Sequence, residues 1–143
     1  MKVIVTIYQG YMGYANVYKY DLSAYERFVK EVKDVHDAYH DFDKDLNSLS
    51  YTSDSGNQVF MVDIVGAVIN KKECYVVCAF QSWSILPDKA MVFSSKKKAQ
   101  VYYDSLRRES PEYDRIIEED GDKDNFLDDD DYAVFIEKAT IYK

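Results

Sequence analysis

A chain of 143 residues that is 47% apolar is long enough for one domain with a real core, and that composition excludes wholesale disorder. The net charge is −8, and it is gathered in one place: residues 109–131 hold 12 acidic and two basic residues, a net of −10 that leaves +2 for the rest. Such a block repels nucleic acid and attracts cations or basic protein surfaces.

The opening MKVIVTIYQG turns polar too early for a signal peptide, and no apolar run approaches the length of a membrane span. The two cysteines lie in CYVVC. On a strand, Cys74 and Cys78 would share a face ~13 Å apart, beyond the reach of a disulfide. Two reduced thiols fit a cytoplasmic location in the host cell.

In chain order, KVIVTIY at 2–8 is β-branched and apolar on both faces, the pattern of a central strand. Gly10 to Gly13 is read as a turn, and 15–20 as a second strand. A helix follows to about His40. Ser23 and Glu26 form a capping box, and Tyr25, Phe28, Val29, Val32, Val35 and Tyr39 form an inward stripe. Opposite charges four apart, Arg27–Glu31 among them, line its outer face. Residues 41–57 are read as a polar loop. A long strand at 58–69, the turn NKKE and a return strand at 74–85 predict a hairpin. Pro87 breaks the chain before a short strand at 90–93. Ser94 or Ser95 caps a second helix with Ala99, Tyr102, Tyr103 and Leu106 inward. Ser110-Pro111 opens a third helix that Gly121 ends, and a last strand covers 132–142.

These elements predict an α+β fold in a single domain, 1–143: an antiparallel sheet with helices on one face. Two versions fit, a ferredoxin-like split βαβ and a duplicated ββαβ with repeats at 1–70 and 73–143.

The sharpest chemical motif is DGDKDNFLDDDD at 120–131, which resembles the EF-hand calcium loop. The resemblance implies Ca2+ ligands at Asp120, Asp122, Asp124, the Phe126 carbonyl, Asp128 and Asp131. Asn125 stands where that family has glycine, and Asp131 where it has a bidentate Glu. A solvated acidic loop explains the same residues, since seven of the 12 are Asp. His36 and His40, in HDAYH, share a helix face as in a zinc hydrolase. Stabilisation of the two histidines by the helix C-terminal dipole is the plainer explanation. Lys96–Lys98 and Arg107-Arg108 put cations at both ends of the second helix. The adjoining acidic block argues against direct nucleic-acid binding there.

Fourteen tyrosines crowd the chain. Tyr11, Tyr14 and Tyr18, with Trp83, are candidate interface anchors beside Asp128, Asp129, Asp130 and Asp131. No phosphate loop, dinucleotide fingerprint, nucleophile elbow or Cys–His pair is present, so a non-enzymatic role is expected. In size, acidity, the 109–131 block and Tyr/Asp richness, the chain resembles small phage-encoded acidic inhibitors of host nucleases or defence complexes. The resemblance implies an inhibitor or adaptor that masks a nucleic-acid-binding surface of its partner protein. A calcium module and a metal-dependent hydrolase are the alternatives; no membrane partner is expected, and a homo-oligomer is compatible with the sequence.

Overall fold

The computed structural model describes residues 2–8, 11–35, 43–44, 48–52, 58–66, 72–82, 84–121, 125–128 and 131–143. In chain order the elements are β1 (Lys2–Tyr8), β2 (Tyr11–Tyr18), α1 (Asp21–Val35), β3 (Asp43–Lys44), β4 (Ser48–Thr52), β5 (Gln58–Asp63) and β6 (Val65–Gly66). Then come β7 (Glu73–Gln81), β8 (Ser84–Ile85), a 3-10 turn (Pro87–Lys89), β9 (Met91–Phe93), α2 (Lys96–Arg107), α3 (Tyr113–Asp120), β10 (Asn125–Leu127) and β11 (Ala133–Tyr142). The fold is α+β.

The strands build a nearly closed barrel. β1 lies antiparallel between β2 and β5, and β4 extends that group beside β5. β7 lies antiparallel between β9 and β11, and β10 extends that group beside β11. Two parallel junctions join the groups. The end of β11 pairs with β2, Ile141 with Val17 and Tyr142 with Tyr18. The chain beyond β5 pairs with β9 as β6, Val65 with Met91 and Gly66 with Val92. The pairing scheme of the first half therefore recurs in the second, down to the junction each half makes with the other.

Alternation along each strand divides the core into three. Val5, Val17, Phe60, Val62, Cys74, Val76, Cys78, Phe80, Phe135 and Ile141 fill the barrel interior, and Phe80 meets Phe60 and Phe135 edge-on. Outside the first group, Ile4, Tyr18, Val59 and Met61 pack beneath Ala24, Phe28 and Val32 of α1. Outside the second, Val77, Ala79 and Val134 pack beneath Ala99, Tyr103 and Leu106 of α2, with Ile116 of α3. Both faces of β1 and β7 are covered, which is why neither alternates between apolar and polar.

This architecture corrects several expectations. A simple ferredoxin-like fold is one sheet under its helices, whereas here the face away from the helices is the barrel interior, covered by the other half. The expected hairpin between 58–69 and 74–85 does not form, because β5 and β7 belong to opposite groups. β4 runs through what composition marked as loop, since its partner β5 sets its conformation. α1 begins at Asp21, so Ser23 and Glu26 lie inside it and form no cap, and Tyr25 is exposed while Ala24 takes the inward place. Proline at 111 precedes α3 by two residues. Among the described residues no helix is long and apolar enough to cross a membrane.

Candidate functional site

α2 runs between two ends of opposite charge. β9 pairs Phe93 with Tyr75, so the first turn of α2 sits at that end of the barrel. At the other end the Tyr132 hydroxyl donates to the Leu106 carbonyl at 2.9 Å.

The acidic end is held by a built core. Arg107 is buried, ion-paired with Asp104, and its guanidinium lies 4.6 Å from the Tyr103 ring and 5.7 Å from the Tyr113 ring. Tyr113 in turn meets Phe126 at 6.1 Å, so α3 is clamped to α2 by aromatic and cation–π packing. Asp128, only 4% exposed, accepts from Ser110 Oγ at 2.8 Å and from the Tyr132 backbone N–H at 2.8 Å. Its own N–H donates to the Tyr132 carbonyl, closing the turn onto β11. Outside this brace, Asp114, Glu118, Glu119 and Asp131 are exposed, and Leu127 stands 55% exposed among them. Arg115 bridges Glu112 at 3.1 Å and Glu119 at 2.9 Å, and Lys89 reaches Glu109 at 3.5 Å.

The basic end is the first turn of α2. Ser95 Oγ accepts from the Lys98 N–H at 3.5 Å, and Lys96, Lys97 and Lys98 follow with no acidic residue in that turn. Three cations at the positive end of a helix dipole oppose its formation. Beside them a groove of about 630 Å³ runs between α2 and β9, lined by Met91, Phe93, Lys97, Lys98, Val101 and Tyr102. Val101 is 65% exposed. On the opposite flank of α2, Lys96 and Lys138 line a smaller, more polar hollow with Glu137. Among the described residues no ion pair joins Lys96, Lys97 or Lys98 to the acidic block.

Tyr11 and Tyr14 lie in β2. Tyr18 is buried and stacked on Tyr142 at 5.3 Å, and burial raises its hydroxyl pKa above the usual range. Trp83, His36, His40, Asp122, Asp124, Asp129 and Asp130 lie outside the described residues. In the calcium-loop segment, Asp120 ends α3 and Phe126 is buried in β10, paired with Val134. Residues 125–127 are an extended strand paired with β11, and Asp128 directs its two carboxylate oxygens to Ser110 Oγ and the Tyr132 N–H. Asp131 remains exposed, in the left-handed region at φ 62°. The thiols of Cys74 and Cys78 are free and buried, and desolvation pushes them up to about 11 and about 12.

Sequence reasoning missed the groove and the arginine clamp. The groove had one signal, the apolar Val101 standing off the inward stripe of Ala99, Tyr103 and Leu106. The clamp had none, because Arg107 joined to Arg108 reads as surface charge. Comparison with family models, curated proteins and solved structures returned no match to this chain.

Proposed function

We propose that the chain is a binding protein that presents the outer face of α3, with Asp131, to a basic surface of a partner protein. One observation carries this reading: the exposed carboxylates of α3 and Asp131 gather at one end of α2, where they outnumber the exposed Arg108 and Arg115, and Lys96–Lys98 sit at the other end. Arg115 and Lys89 offset part of the block, leaving a negative field that would speed encounter with a positive surface. A nucleic-acid-binding surface, as in a nuclease or a defence complex, is the commonest positive surface of that kind, and occupying it would inhibit the partner. Asp128 is excluded from the docking set, because it braces the turn beneath. The recurrence of one pairing scheme in 1–70 and 73–143 supports a duplicated ββαβ unit as the source of the scaffold.

The test is affinity capture from native cell lysate with the wild type and with the triple variant Asp114→Asn, Glu118→Gln, Asp131→Asn. All three side chains are exposed, and asparagine suits the left-handed backbone at 131. The wild type should retain a defined basic partner at low salt, and the variant should lose it. Equal retention by both proteins at every salt concentration would refute charge docking.

A further inference from the structure

We infer that the apolar groove between α2 and β9 receives the acidic end of a second copy of this chain, giving head-to-tail association. The groove floor is hydrocarbon and ring, from Met91, Phe93, Val101 and Tyr102, and its rim carries Lys97 and Lys98. It therefore favours an apolar side chain flanked by carboxylates. The same molecule carries that combination. Leu127 is exposed, the exposed Asp131 directly precedes Tyr132, whose backbone pairs with Asp128 next to Leu127, and Glu118 and Asp114 extend the negative field along α3.

A copy cannot satisfy its own groove. The groove lies on the β9 flank of α2, from Lys97 to Ser105, whereas Leu127 lies in β10, and β7 and β11 stand between β9 and β10. Three strand spacings separate the two sites, about 14 Å at ~4.8 Å per strand. The complementary surfaces are different patches, so the contact is heterologous and leaves a free groove and a free acidic end on every assembly that does not close into a ring. It also explains Lys97 and Lys98, which the helix dipole disfavours: these two cations serve a contact and not the helix.

The inference shares the acidic face with the reading above but none of its partner, so a second copy and the basic partner would compete for that face. Sedimentation velocity of the full chain over a wide concentration range is the test. At low salt the average mass should climb from the 16.7 kDa monomer as concentration rises, and it should return to the monomer at high salt. The variant Lys97→Glu/Lys98→Glu loses the groove rim and keeps the acidic end. The variant Leu127→Lys does the reverse. Each alone should remain monomeric, yet mixed they should form a two-chain complex and stop there, because each supplies the surface that the other lacks. All three substituted positions are exposed, so matching circular dichroism should confirm both folds. A wild type that stays monomeric at all concentrations in low salt overturns the inference, as does a mixture that stays monomeric. A wild type that captures its basic partner yet never self-associates would sink this inference alone, and one that self-associates yet captures no basic partner would sink only the partner reading.

Discussion

At the scale of single residues, Asp128 shows how an acidic run divides into structure and surface. Its two oxygens take a hydroxyl and a backbone N–H from residues four and 18 positions away, which no composition count reveals. Asp128→Ala should leave those buried donors without their acceptor and cost about 2–4 kcal/mol, read by urea denaturation. Asp114→Asn on the open face should move the same curve by only about 0.3–1 kcal/mol, the helix-dipole contribution of an acid in the first turn of α3. Gly121 combines φ 79° with ψ −172°, and its N–H bonds the Ile117 carbonyl at the end of α3. The space around its Cα is open, so Gly121→Ala meets no neighbour and loses only backbone freedom, about 1–3 kcal/mol. The cysteines give a pH prediction. Burial raises both thiols above their ordinary value of 9.0, Cys78 to about 12, so the folded chain holds those protons more tightly than the unfolded one. Their contribution to stability is whole below about pH 9 and falls as pH climbs toward 12, with Tyr132, also raised to about 12, adding to the loss. Denaturation midpoints measured at rising alkaline pH check the sign, and a thiol reagent at pH 8 should label the native protein slowly and the unfolded chain at once.

At the scale of elements, what was legible followed periodicity and punctuation. The strands at 2–8 and 132–142 stand nearly where the sequence put them, and the Ser95 cap and Gly121 stop hold α2 and α3 as expected. The start of α1 was misplaced because Ser23 and Glu26 mimic a capping box that the Asp21 start leaves inside the helix. The strand partners were not legible at all. A polar turn between two apolar runs predicts a hairpin, but the barrel sends β5 and β7 to opposite sides of a shared interior. Of the candidate site, the charge block could be read from composition; the groove and the brace depend on tertiary placement. α2 offers the clearest test of an element kept below its best stability. Lys96→Glu would put a negative charge at the positive end of the helix dipole and should stabilise the protein by about 0.3–1 kcal/mol, seen as a higher Tm. A lower Tm would mean that the lysine packs usefully where it stands.

At the scale of the whole molecule, the two halves close one barrel through two equivalent junctions and cannot bury their inner faces separately. Unfolding should therefore be a single cooperative transition, with far-ultraviolet dichroism and tyrosine fluorescence superimposing. Two separated transitions would mean that the halves hold their cores independently. The scaffold also fixes the charge map, since α2 spans the second half with lysines at one end and carboxylates clamped at the other. The on-rate of the captured partner, followed by surface binding kinetics as ionic strength is raised, tests that map most directly. A steep fall in on-rate for the wild type, and a slow, nearly flat response for the Asp114→Asn, Glu118→Gln, Asp131→Asn variant, is the predicted result. Identical on-rates for the two proteins across the salt series would contradict it.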